Sequence, residues 1–314
     1  MNLHNDMKFF SETLRAASKH LDIKLEFVEK DYWITLVLSH LAKSKYVADA
    51  VFKGGTSLSK GYNLLERFSE DVDIAIINNN NKSGNEIKTI IRTIEKEITR
   101  DFTEIQIDGV TSKGSRFRKS VFEYVSTDKG NTNTKLIVEV NSFANPFPFQ
   151  LLTIKSFVFD FLTQTGNEKY IEQFNLQPFN VNVLSKEQTL LEKIVSLIRV
   201  SFDENYTESI SGKIRHFYDL YFLANDPACK EFIESGSFKN KFEAILQHDR
   251  EIFDEPAGWQ NKQVSESPLT VDFDIIWEKI RVRYQTELSA LAYRTIPDEE
   301  TVFRVFKALT KRIQ

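Results

Sequence analysis

The sequence predicts an α+β fold: a mixed α/β domain with N-terminal helices over residues 1–183, followed by a mostly helical C-terminal domain over residues 184–314. Three observations carry the prediction. Apolar residues at helical spacing open the chain, β-branched runs bounded by turn-rich segments fill the first half, and from Ser185 the helical period dominates.

Each element follows from its local pattern. "DMKFFSETLRAASKHL" and "KLEFVEKDYWITLVLSHLAKS" read as two helices, the second with Phe27, Ile34, Val37, Leu38 and Leu41 on its apolar side. "YVADAVF" leads into Gly54-Gly55, "SLSKGYNLL" reads as a short helix, and "DVDIAII" as a strand bounded by the turn-rich "NNNNKSGN". A charged helix, "EIKTIIRTIEKEITR", precedes three strand-like runs, "TEIQIDGV", "SRFRKSVFEYVS" and "TKLIVEVNSF", separated by "TSKG" and "TDKGNTNT" and ended by "NPFPF". In the C-terminal half, Ser185 and Gln188 form a capping-box signature for "SKEQTLLEKIVSLIRVSF". "KIRHFYDLYFLA", "ACKEFIESGSFKNKFEAILQ", "FDIIWEKIRVRYQTELSALA" and "EETVFRVFKALTKRI" continue the helical pattern, and "DEPAGWQNKQVSESP" is an excursion within it.

Composition narrows the function. The 314 residues are 41% hydrophobic, enough for a sizeable core. No apolar run approaches the roughly 20 residues that cross a bilayer, and the opening lacks signal-peptide features, so a cytoplasmic protein with no membrane partner is expected. One cysteine, Cys229, excludes an internal disulfide, and five scattered histidines offer no zinc-ligand spacing. A net charge of −4 argues against a broad nucleic-acid surface. A local patch is still open at Lys113, Arg116, Arg118 and Lys119 in "SKGSRFRKS", although composition alone favours a solvated strand or hairpin edge there.

The chemistry concentrates in "VFKGGTSLSKGYNLLERFSEDVDIAI". A glycine pair between a strand and a helix start lets backbone amides approach a phosphate, although the same pair also makes plain turns. The spacing excludes a P-loop. Glu70, Asp71 and Asp73 follow. On a strand, Asp71 and Asp73 project from one face while Val72, Ile74 and Ile76 take the other. Two like charges aimed together repel; a divalent cation would relieve them, and hard Mg2+ (or Mn2+) takes one or two carboxylates with water and substrate phosphate. The alternative is a solvated strand end. A third carboxylate is expected from a neighbouring strand, and Glu139, mid-strand in "KLIVEVNSF", fits; it reads otherwise as an edge glutamate paired with a cross-strand lysine or arginine.

"FKGGTSLSKGYNLLERFSEDVDI" resembles the nucleotidyltransferase toxins of the AbiEii/AbiGii family, relatives of the mycobacterial MenT toxins within the DNA polymerase β-like nucleotidyltransferase superfamily. "VEKDYW", "LLEKI" and "RHFYDLYFL" resemble the accompanying motifs in the same order, covering most of the first 225 residues. The gap from Gly55 to Asp71, Thr56 to Glu70, is 15 residues, longer than is usual in the wider superfamily. The resemblance implies a polymerase β-like domain with a mixed sheet. It further implies that Gly54, Gly55 and Thr56 hold nucleotide phosphates, that Ser69 is the serine before the acids, that Asp71 and Asp73 ligate metal, that Lys193 contacts the triphosphate and that Asp219 is needed for toxicity. From the residues alone, Lys193 reads as a lysine snorkelling from its apolar stripe. Asp219 reads as an i, i+4 partner of Arg215. Lys30 and Asp31 read as helix surface beside Tyr32 and Trp33, scaffold rather than chemistry.

The activity so implied is metal-dependent transfer of a nucleoside monophosphate from an NTP to an RNA acceptor, the 3′ end of tRNA, in a toxin–antitoxin or abortive-infection system with an antitoxin encoded nearby. A protein hydroxyl as acceptor and a non-catalytic nucleotide-binding protein are the alternatives.

Overall fold

In the computed structural model, residues 1–69, 71–78, 82–128, 130–131 and 134–314 are described. Glu70 and parts of the two expected turn-rich connections, residues 79–81, 129, 132 and 133, lie outside them. The chain divides into two compact units: residues 1–63 with 68–184, and residues 64–67 with 185–314.

The first unit contains α1 (Met7–Leu21), α2 (Leu25–Ala42), β1 (Ala50–Lys53), α3 (Gly54–Lys60), β2 (Asp71–Ile76), α4 (Gly84–Ile98), β3 (Thr103–Ile105), β4 (Ser112–Lys113), β5 (Phe117–Glu123), β6 (Lys135–Asn141), β7 (Phe149–Ile154), α5 (Phe157–Gln164), α6 (Lys169–Gln173) and β8 (Phe179–Leu184). The strands form one mixed sheet in the order β3-β5-β6-β2-β1-β8-β7, with β4 beside β5. β2 runs parallel to β6 and β1 parallel to β8; the other pairings are antiparallel.

β7 and β8 went unread from sequence. β8 nevertheless carries a legible signal, buried Val181 and Val183 alternating with Asn180 and Asn182. β7 is an edge strand whose Leu151 is exposed, so alternation fails there. The short helix after the glycines ends at Lys60, earlier than "SLSKGYNLL" suggests.

The two faces of the sheet differ for a simple reason. Val72 and Ile74 on β2 are in register with Val138 and Val140 on β6, all buried. α4 packs against both strands through the stripe Ile87, Ile90, Ile91, Ile94 and Ile98. Each such side chain contributes about 1.5–3 kcal/mol when fully buried, so register between β2 and β6 is strongly specified. A genuine capping box, Ser83 with Glu86, starts α4. The odd-numbered residues of β2 and β6, the acids among them, necessarily emerge on the opposite face.

The second unit contains α7 (Lys186–Val200), α8 (Tyr206–Ser211), α9 (Ile214–Asn225), α10 (Pro227–Glu234), α11 (Phe238–Ile252), α12 (Pro268–Val271), α13 (Phe273–Leu291) and α14 (Glu299–Ile313). Ser185 caps α7 by accepting from the Gln188 amide. Its core centres on Phe217, Phe273, Trp277 and Phe306, with the Phe217 and Phe306 rings 4.7 Å apart. Residues 64–67 join this unit: Tyr293 donates its amide to the Glu66 carbonyl and its hydroxyl to the Leu65 carbonyl. No helix among the described residues is long and apolar enough to cross a membrane.

Candidate active site

β1 ends at Lys53, and the next residue, Gly54, has φ +79°. A side chain is strained in that conformation by about 1–2 kcal/mol, and a Cβ on Gly54 would also overlap the Asp73 carboxylate. Glycine is therefore required both by the turn and by its neighbour. α3 starts at once, and the amides of a first helical turn lack intrahelical acceptors. Thr56 is buried, and its hydroxyl donates to the Asp71 carbonyl at 2.5 Å. That bond ties α3 to β2 beside the acids, leaving Thr56 its amide, not its hydroxyl, to offer a phosphate.

The far end of α3 is held as firmly. Lys60 Nζ lies 2.6 Å from Asp31 Oδ1 and donates to the Lys155 carbonyl, while Asp31 Oδ2 accepts from the Phe157 amide at 2.8 Å. Lys30 and Asp31 are thus not helix surface, as sequence alone suggested: both are buried, and Lys30 lies over the Phe68 ring. The stretch "EKDYW" turns inward because α2 is surrounded on more than one side, which periodicity cannot report.

Asp71 and Asp73 share one face of β2, and Asp73 stands opposite Glu139 across the parallel pair. The register continues outward in both directions: Lys53 opposes Asp73 on β1, and Lys119 opposes Glu139 on β5. One row across four adjacent strands therefore reads Lys53, Asp73, Glu139, Lys119. Glu139 is not an edge glutamate, since β6 lies between β5 and β2, but it does stand across from a lysine on β5 as well as from Asp73 on β2. Loss of hydration, then Glu139 and Asp71, push the Asp73 carboxyl up to about 7 against the pull of Lys53 and Lys119. Glu139 is likewise raised, chiefly by loss of hydration, with Lys119 opposing.

Crowded carboxylates that resist ionisation beside a glycine turn have the donor chemistry of a hard divalent cation site. Among the described residues no three His, Cys, Asp or Glu side chains are gathered as a ready metal cage. The three acids expected from sequence, Asp71, Asp73 and Glu139, are therefore not gathered as a three-ligand set, and a hard cation here would have to complete its shell with water and phosphate oxygens. Asp71 and Asp73 fit this role, with Glu139 next to them. Ser69 is half-buried just before the acids.

In the second unit, Asp219 is fully buried and accepts Arg67 in a bidentate pair, Nε to Oδ1 and Nη2 to Oδ2, both at 2.7 Å. Lys193 Nζ reaches Oδ2 at 2.7 Å. Burial alone would raise the Asp219 carboxyl, but Arg67 and Lys193 outweigh it and hold it well below the usual range. The expected Arg215–Asp219 pair does not form; Arg215 reaches Glu287 instead. Nor does Lys193 snorkel to water: it is buried on its counter-ion. Arg67 carried no role in the sequence reading. Its one legible signal was a charge between apolar Leu64, Leu65 and Phe68.

Of the expected basic patch, Lys113 pairs with Glu104 and Glu95, and Arg118 pairs with Glu95, so two of its four charges are internally compensated.

A mixed sheet with in-phase aspartates beside a glycine-led helix, and a third acid on the parallel neighbour, offers donors suited to a nucleotide phosphate and a hard cation. A family profile described as nucleotidyl transferase AbiEii toxin, type IV toxin–antitoxin system, matches residues 36–305. The chain belongs to this AbiEii family of toxin nucleotidyltransferases. Among solved structures it is similar to MenT4, a nucleotidyltransferase toxin from Mycobacterium tuberculosis, at 15% identity over 96% of this chain and 99% of that one, with a TM-score of 0.45. It is also similar to an antigenic nucleotidyltransferase-like protein from Paracoccidioides brasiliensis, at 18% identity over 70% and 89% of the two chains, with a TM-score of 0.35. No curated protein matches the sequence.

Proposed function

We propose that the protein transfers a nucleoside monophosphate from an NTP to the 3′ hydroxyl of an RNA acceptor, the tRNA end, in a metal-dependent reaction. The observation that carries this reading is the juxtaposition of Gly54 with Asp73, in register with Glu139 and in phase with Asp71.

The Gly54-Gly55 turn and the first amides of α3 receive the nucleotide phosphates. Asp71 and Asp73 would hold Mg2+ or Mn2+, which would supply Lewis-acid stabilisation of charge on the phosphates. The acceptor hydroxyl attacks the α-phosphorus; the new P–O bond forms as the bond to pyrophosphate breaks. Glu139, whose raised carboxyl is a better base than an ordinary glutamate, takes the hydroxyl proton or orients the attacking oxygen. Ser69 is a further candidate contact on the nucleotide. For Lys193 as a phosphate contact the support is the family resemblance, and Asp219 is then its positioning residue, since it holds the Lys193 ammonium. In the cell this activity would be opposed by an antitoxin encoded nearby.

The test is incubation of the purified protein with each labelled NTP, Mg2+, total RNA and cell extract, beside Asp71→Ala. Label on RNA, absent with the variant, supports the reading. Label on protein would instead favour a protein hydroxyl as acceptor. With no label on either, a non-catalytic nucleotide-binding role is what survives.

A further inference from the structure

We infer that Lys119 binds a backbone phosphate of the incoming nucleic-acid acceptor. The inference rests on the transfer reaction proposed above and deepens it by naming the side from which the acceptor enters.

The first argument is which cations are already committed. Arg118 and Ser120 on β5 meet buried Glu95 of α4, and Lys113 joins them there. Alternation along β5 sends Lys119 to the other face, where it is in register with Glu139. Its side chain is half-buried and, among the described residues, makes no hydrogen bond or close ion pair, although its charge acts on Glu139 and Asp73. Lys119 faces the acids and is not held in a close ion pair, unlike Lys113 and Arg118 in the same short stretch.

The second argument is direction. Lys53 and the glycine turn flank the acids on the β1 side, so the triphosphate lies there. Displacement at phosphorus is in line, with the attacking and leaving oxygens on opposite sides. The acceptor therefore approaches from the β6 and β5 side. Adjacent strands are roughly 4.8 Å apart, which places Lys119 one strand beyond Glu139, where the chain behind the reacting hydroxyl must pass.

The third argument is charge. With all three carboxylates ionised, as cation binding requires of its ligands, these acids and the two lysines carry one formal negative charge. A divalent cation reverses that sign, so Lys119 is no longer needed to balance Glu139 and its field falls on a phosphate.

The experiment measures affinity of the full-length protein for 5′-labelled total tRNA at several KCl concentrations, without NTP, for wild type, Lys119→Gln, Lys119→Arg and Lys113→Gln. A single lost contact to a single-stranded phosphate lowers the slope of log K against log salt by about 0.7. Lys119→Gln should show that loss and weaker binding at low salt, Lys119→Arg should restore both, and Lys113→Gln should match wild type. If Lys119→Gln keeps the wild-type slope while wild type labels RNA, the inference fails and the transfer reading stands. If wild type labels protein or nothing, both fail.

Discussion

Gly54 and Asp73 share one small space: the Asp73 Oδ2 atom lies where a Gly54 side chain would begin. Gly54→Ala therefore meets two obstacles, a left-handed backbone costing about 1–2 kcal/mol and a displaced carboxylate. Transfer activity should fall by more than tenfold with a modest drop in melting temperature. Gly84→Ala, where an added Cβ meets nothing within 4 Å, should leave both unchanged. Equal activity in the two variants would remove Gly54 from the site.

Asp219 balances two buried cations. Removing one member of such a cluster typically costs about 3–5 kcal/mol, so urea unfolding of Asp219→Ala should show a loss of that order. A double substitution, Asp219→Leu with Arg67→Met, should recover part of it. Because the folded carboxyl is held below its ordinary value, its stabilisation is fully present above about pH 4 and is lost as pH falls further. Asp219→Asn should flatten that acid limb of the stability curve.

Asp73 has the opposite sign. Its carboxyl is raised to about 7, first by loss of hydration and then by Glu139 and Asp71, so the native state binds the proton more tightly than the unfolded chain. In chelator-treated buffer the melting temperature should decline as pH rises from about 4 to about 7 and then level off. Asp73→Asn should reduce the slope. Mg2+ added at the high end should raise the melting temperature of wild type, since it binds the ionised native form; no response in wild type would argue against a cation at this position.

The Asp31–Lys60 pair anchors the end of α3 distant from the glycines. Asp31→Asn leaves the Lys60 ammonium buried without its counter-ion, and a loss of about 3–5 kcal/mol is expected by chemical denaturation. Asp31→Leu with Lys60→Met should be more stable than Asp31→Asn alone, because neither charge then remains.

Much of the fold was legible where a segment's period reports its own surroundings. β2, α4, β5 and β6 sit where the apolar pattern put them, because each has one buried side and one exposed or polar side. α2 misled at Lys30 and Asp31, since a helix enclosed on several sides buries charges that a single stripe assigns to water. Edge strand β7 escaped for the converse reason, with Leu151 exposed.

By itself the amino-acid order determined that Asp71 and Asp73 point the same way and that a glycine turn precedes a short helix, because side-chain alternation and left-handed φ are properties of neighbouring residues. Only the closed tertiary structure decided that Glu139 faces Asp73, that Lys119 faces Glu139, and that Asp219 takes Arg67, 152 residues away, rather than Arg215 one turn before it. Strand register and the choice of partner for a buried charge depend on which distant segments exclude water together, and no local pattern encodes that.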